Sequence, residues 1–424
     1  MRHYKDSGIE WIGKIPETWA YKRFKYSGVF EKGKLPHSSN LERIGLPIFG
    51  ASEMLGKDAR TYTSDTTVPR CKVDDILILW DGANAGITAS GLDGVVSSTA
   101  VKYTCIDKSI LSKYAAYLLK YGEHYFKEKV NGTTIPHMNM AYINDIPLLC
   151  PPFLEQLRIV DYLDSKCEEI DLLIGLQEQM IERLKAYKQS VITETVTKGL
   201  DHNVKLVPSG IDWIGDIPEG WKDAPVKAIL QRRSEKNNPV KTKERLSLSI
   251  DKGVTLYAEK TTNLDRFKDD FTQYQLAYPN DIVLNSMNMI VGAVGLSNYY
   301  GCVSPVYYVV YSKYSDIDIK YYSYLLNTQP LRDVYHSLGK GIYAIERGEG
   351  RVNTCRLKVS YEDFGVIRVP IPPLSEQKKI VSYLDEKCAD IDRLIVLKQQ
   401  KIEKLKNYKK SVIYEVVTGK TIME

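Results

Sequence analysis

Three stretches of this chain come close to a catalytic motif, and each fails at the residue its chemistry needs. The segment GVFEKGKL, residues 28–35, is within one residue of a phosphate-cradling GxxxxGK[ST] loop. Leu35 stands where a hydroxyl would hold magnesium, and Pro36 blocks the helix that should follow. GKT at 419–421 lacks the upstream glycine, because Tyr414 occupies that place. Methyl transfer to adenine uses Asp, Asn or Ser before Pro-Pro-aromatic, the polar side chain and its carbonyl holding the target amino group. Here Cys150 precedes Pro151-Pro152-Phe153, and its repeat has Ile371 before Pro372-Pro373-Leu374. Neither Cys nor Ile can do that work, and no Gly-rich cofactor loop follows a strand. Short acid-x-Lys combinations such as Ser234-Glu235-Lys236 arise by chance in a chain with 26% charged residues, so a nuclease centre is not supported. Asp164 and Asp171, repeated as Asp385 and Asp392, are spaced by seven along one helix face, which suits pairing with a partner surface better than acid-base catalysis.

What remains can bind. Lys32, Lys34, Arg43, Lys57, Arg60 and Arg70 accumulate in Gly-containing segments of the first half; Arg232, Arg233, Lys236, Lys241, Lys243 and Arg245 do so in the second. Two further loops are NGTTIPHMN, residues 131–139, with Thr133, Thr134, His137 and Asn139, and GKGIYAIERGEGRVNTCR, residues 339–356, with Lys340, Arg347, Arg351, Asn353 and Arg356. Arg pairs with both major-groove acceptors of guanine and Asn or Gln with adenine, so such loops could read bases. Any single one could equally be a solvated surface charge; only the loops together carry weight. The seven cysteines are scattered with no CxxC pair and the six histidines do not cluster with them, so reduced, buried thiols are expected and no zinc site is.

The elements that must position these loops are long and duplicated. Residues 151–199 read as one helix, and residues 372–420 repeat it; roughly 30 of about 55 positions match at one offset. Val160, Leu163, Cys167, Ile170, Ile174, Ile181, Leu184 and Val191 step by threes and fours along one stripe, as do Val381, Leu384, Cys388, Ile391, Ile395, Ile402, Leu405 and Val412. Gln177 and Lys398 interrupt the two stripes at the same step, as a register-fixing polar seam residue does. About 45 residues would make a rod of roughly 65 Å. Two helices of an ordinary bundle would have the same periodicity, but a bundle joins its helices by short loops, and here about 170 residues intervene. The rods therefore join domains.

SGIEWIGKIPETW, residues 7–19, returns as SGIDWIGDIPEGW, residues 209–221, a turn between tryptophan anchors that marks each domain's start and packs its edge. Between box and helix lies mixed strand with a little helix: ILILW from Ile76 matches DIVLN from Asp281, and helical stretches start near Leu111 and Ile319. The boxes repeat at an offset of 202 and the helices at 221, so the second middle region is longer by the difference, 19 residues. A fixed framework thus carries two middle regions that differ. The order box, variable domain, helix occurs twice, the link from Gly199 to Ser209 joins the halves, and the tail after Lys420 with the N-terminal segment could make the same join.

Length and composition agree. A chain of 424 residues with 43% hydrophobic content has room for two or three domains, and no run of about eighteen apolar residues or apolar leader points to a membrane or export. A cytoplasmic location is expected. A net charge of +5 permits a nucleic-acid partner, and the 30 tyrosines suit interfaces as well as sheets.

The boxes, with PPFLEQLRIVDYLD at 151–164 and PPLSEQKKIVSYLD at 372–385, closely resemble the specificity subunits of type I restriction-modification systems. The resemblance covers the whole chain and rests on Pro151, Pro152, Glu155, Gln156, Ile159, Val160, Tyr162, Leu163 and Asp164 and their repeats Pro372, Pro373, Glu376, Gln377, Ile380, Val381, Tyr383, Leu384 and Asp385. It implies an α+β chain: an N-terminal target-recognition domain at 1–150, a central helix at 151–200, a second recognition domain at 201–371 and a C-terminal helix at 372–424. The two helices would pair as an antiparallel coiled coil across a pseudo-twofold axis. It further implies a non-catalytic subunit that binds double-stranded DNA at a split target, one half-site per domain. Two modification subunits would methylate adenine with S-adenosylmethionine, and restriction subunits would cleave with ATP and Mg²⁺, so this chain itself would need no cofactor. Because the two domains differ, the half-sites should differ. A self-contained methyltransferase or nuclease, or a two-module scaffold that binds no DNA, are the competing readings; the first lacks its motifs.

Overall fold

The long helices form as Phe153–Lys198, 46 residues, and Leu374–Val417, 44 residues, in a computed structural model that describes residues 3–9, 11–128, 137–139, 143–259, 270–342 and 356–421. Each starts directly after its Pro-Pro pair with a glutamate in the first turn, where a carboxylate complements the helix dipole. Gly199, at φ +76°, stands directly after the first helix, in the left-handed conformation that ends helices. The chain divides into two compact units, residues 1–178 with 399–424 and residues 179–398. The divisions fall inside the helices, beside Gln177 and at Lys398, the two polar steps of the seam.

In unit 1 the first box is a hairpin, Tyr4–Asp6 antiparallel to Lys14–Pro16. A four-stranded antiparallel sheet follows in the order Gly28–Lys32, Ala100–Cys105, Ile76–Leu79, Thr88–Ser90. The strand Ile76–Leu79 is buried at every position, which is why it reads as an unbroken apolar run. A second sheet, Tyr62–Thr63, Leu46–Phe49, Gly94–Val96 and Arg70–Cys71, contains one parallel pair, and the helix Ser112–Glu128 covers the core.

Unit 2 repeats this plan. Its box is the hairpin Leu206–Ile211 with Gly215–Pro218, and its main sheet runs Gln231–Arg232, Tyr307–Tyr311, Ile282–Asn285, Val294–Leu296. The predicted helical stretch is split into Ile319–Leu325 and Gln329–Leu338, with Pro330 in the first turn of the second piece, where its missing amide hydrogen does no harm.

One set of hydrogen bonds, formed twice, fixes each domain to its helix. Trp19 Nε1 donates to Glu155 and Trp221 Nε1 to Glu376, both at 2.9 Å. Gln156 accepts from the Leu111 amide at 2.8 Å and donates to the carbonyls of Ser109 and Pro151, each at 2.9 Å. Gln377 accepts from the Asp318 amide at 2.7 Å and donates to the Asp316 and Pro372 carbonyls. Asp164 accepts from Lys113 and Tyr117, and Asp385 from Lys320 and Tyr324, at 2.6 and 2.7 Å in both units. Asp171 accepts from Lys409 and Asp392 from Lys188. The aspartates expected to pair with a partner surface thus find partners within the chain, Asp164 and Asp385 in their own domain and Asp171 and Asp392 on the other long helix.

The seam residues join the domain cores. In unit 1, Val160, Leu163 and Cys167 cluster with Val412, Val416 and Trp19; in unit 2, Leu384 and Cys388 cluster with Val191, Val196 and Trp221. Gly419 packs on Pro16 and Trp19, its carbonyl accepting from Tyr4 Oη at 3.2 Å, as Gly199 packs on Pro218 and Trp221. Within unit 1 the last helix thus meets the first hairpin in the way that the covalent link meets the second.

Candidate nucleic-acid interface

Three of the predicted cations of unit 1 come together. Arg43, Lys57 and Arg60, with Leu41, Gly56, Asp58 and Ala59, line a recess of about 630 Å³. Asn40 clips the loop by donating to the Ile44 carbonyl at 2.8 Å and accepting from its amide at 3.0 Å. Inside that clip Arg43 takes a left-handed conformation, φ +61°, uncommon for a residue with a side chain. Gly56, at φ +88°, turns the chain after the short helix Ala51–Met54 and delivers Lys57 to the same recess. Lys34 is exposed and separate from this group, and Arg70 pairs with Asp93 at 3.2 Å.

Asp81 gathers a second group. It accepts from Lys32 at 3.1 Å and bonds His137 Nδ1 at 2.6 Å, while the Lys32 ammonium lies 5.2 Å from the centre of the Trp80 ring. The backbone amide of Met138 donates to the Trp80 carbonyl at 2.9 Å, which seats His137 there. Asn139 is exposed beside it; Thr133 and Thr134 lie outside the described residues.

In unit 2 the adjacent arginines separate. Successive strand residues point to opposite faces. Arg233 forms a two-pronged pair with Asp281, at 2.7 and 2.8 Å, and lies 4.5 and 4.4 Å from the rings of Tyr278 and Tyr311. The bond to Asp281, whose side chain is only 2% exposed, raises the pKa of the guanidinium further. Arg233 was expected among the base readers; two of its donors, on Nε and one terminal nitrogen, are engaged by Asp281. Arg232, on the other face, is exposed and rests against Tyr308 and Tyr361, at 5.1 and 4.9 Å. Lys243 is exposed, Lys241 pairs with Glu235 and Arg245 lies over Phe271. Buried Asn237 shapes this loop by accepting from the amides of Lys241 and Thr242. Lys340 is 80% exposed and pairs with Asp363 at 3.2 Å. Arg356 lies on the strand Arg356–Lys358, and Arg347, Arg351 and Asn353 fall outside the described residues.

The sequence reading missed Trp80, Asp81, Asp281, Tyr308 and Tyr361. The one local signal was YYVVY at 307–311, whose period of two places Tyr308 on the Arg232 face and Tyr311 on the Arg233 face. Among the described residues no group of three or more His, Cys, Asp or Glu is placed to hold a metal, and no helix is long and apolar enough to cross a membrane.

Two mixed α/β domains, each tied by the same bonds to a long helix and each carrying different cationic loops, define a duplicated recognition protein. The model of the type I restriction modification DNA specificity domain matches residues 16–185 and 218–407, and the chain belongs to that family. The type I restriction enzyme MjaVIII specificity subunit of Methanocaldococcus jannaschii is 27% identical over 440 aligned residues, covering 99% of this chain and 97% of that one. The EcoDI specificity subunit of Escherichia coli is 20% identical over 96% of this chain and 89% of its own. A solved structure from work on complex assembly and conformational transition of the type I R-M system shares the fold, with a TM-score of 0.66 at 14% identity over 95% of this chain and 98% of that one. Specificity subunits are the non-catalytic recognition components of these enzymes, and this chain is one of them.

Proposed function

We propose that the chain reads a bipartite, asymmetric DNA target, each unit taking one half-site, while the paired long helices set the gap and dock the modification subunits. The observation that carries this is the contrast inside the duplication. Trp–Glu, Gln–loop and Asp–Lys/Tyr bonds are the same in both units, whereas the described cations take different places: Arg43, Lys57 and Arg60 line a recess in unit 1, and unit 2 carries Arg232 at the rung where unit 1 has Phe30. A framework held constant beneath surfaces that differ suits two different readings at one fixed spacing. The antiparallel pairing of the helices is supported within each unit, where the start of one helix clusters with the end of the other and one bridge joins them, Asp171–Lys409 in unit 1 and Asp392–Lys188 in unit 2. These bridges are partly exposed, so they supply direction more than stability. On this reading methylation with S-adenosylmethionine and cleavage with ATP and Mg²⁺ belong to the modification and restriction subunits, and the complex acts in the cytoplasm.

The test is duplex binding by the complex of this chain with its modification subunits, as a function of salt. Affinity should fall steeply from 50 to 200 mM salt, and one duplex should outcompete others of equal length by about a thousandfold or more. No duplex binding by an assembled complex would favour the two-module scaffold, and affinity that ignores sequence would contradict the proposed reading.

A further inference from the structure

We infer that Arg232 reads the edge of a guanine base in the half-site taken by unit 2, an inference that rests on the DNA-binding function proposed above. Arg232 and Arg233 are neighbours of identical chemistry, so the difference between their surroundings is informative. Each lies against two tyrosine rings, yet Arg233 has the buried Asp281 as counter-ion and Arg232 has no ion pair among the described residues. The rings of Tyr308 and Tyr361 meet edge to face, 5.4 Å apart at 71°, and make a corner in which the Arg232 guanidinium rests about equally far from both. That corner is itself fixed: Tyr308 is 6% exposed and its hydroxyl donates to the Val359 carbonyl at 2.9 Å.

A guanidinium against aromatic rings keeps its charge and its N–H edge while losing rotational freedom. Positioning of that kind adds little to a phosphate contact, which tolerates a mobile ammonium. It matters for two parallel bonds to O6 and N7 of guanine, which demand a fixed fork. The corresponding rung of unit 1 supports the distinction. Val310 pairs with Arg232 and Ile282, while Tyr103 pairs with Phe30 and Ile76, so an aromatic ring stands in unit 1 where unit 2 presents the fork. The guanine contact is therefore a property of one half-site only.

The experiment compares wild type, R232K and R232A in complex with the modification subunits, on duplexes that carry the mapped target with each base pair of both half-sites changed in turn. Melting curves on the same preparations establish that the variants are folded. In R232K, discrimination against replacement of one G·C pair in one half-site should fall about tenfold or more, with the other positions unchanged. R232A should lose the same discrimination. If R232K binds and discriminates as wild type does while R232A weakens all duplexes alike, Arg232 contacts a phosphate and the inference is wrong. It is equally wrong if neither variant changes anything. Wild type without any sequence preference would instead overturn the function on which the inference rests.

Discussion

Asp281 accepts two bonds from Arg233 with its side chain 2% exposed, and also accepts from the Tyr278 amide at 2.8 Å. Removing one partner of such a pair leaves an uncompensated buried charge. Asp281→Ala should therefore cost about 3–5 kcal/mol in urea unfolding. A change under about 1 kcal/mol would mean that Arg233 finds solvent and that the pair does not organise unit 2. A second residue-scale effect depends on pH. Asp107 is held at a pKa of about 2, chiefly by the hydrogen bond from Lys22 and then by those from Ser109, against 3.8 for the free side chain. A depressed carboxylate stabilises the fold above its unfolded pKa, and that contribution disappears as pH falls through the folded one. The difference in melting temperature between wild type and Asp107→Asn should therefore be full above about pH 4 and shrink towards pH 2. A difference independent of pH over that window would contradict the assignment.

At the scale of elements, the glutamine of the helix start does more than the seam pattern suggests. Gln156 is 0% exposed and satisfies one amide and two carbonyls from three separate positions. Gln156→Leu keeps the volume and strands those groups, so it should destabilise unit 1 by about 2–4 kcal/mol, and Gln377→Leu should do the same to unit 2. Unequal losses would show that the repeated bonds are not equivalent, and no loss in either variant would show that they do not hold the domains to their helices. The long helices were legible in the sequence because their periodicity is local: Val160, Leu163 and Cys167 announce a stripe without reference to anything else. What Gln156 bonds was not legible, since its partners lie 45 and 47 residues away along with one close by. The partners of the aspartates were not legible for the same reason, Asp164 meeting Tyr117 and Asp171 meeting Lys409 through the fold alone. Among the candidate base readers, composition alone could not separate Arg232 from Arg233. Only the position of Asp281, 48 residues along the chain from Arg233, does so.

For the whole molecule, duplication is the organising fact. The family model matches both halves, the anchoring bonds recur, and among the described residues the cations take different places in the two units. Two different readers on one repeated framework should give a target with two unlike halves. Co-expression with the matching modification subunits, followed by mapping of methylated adenines, measures this directly. The account predicts a single motif of two different half-sites separated by a gap of fixed length. A palindromic motif, an undivided one, or no new methylation from an active complex would contradict it.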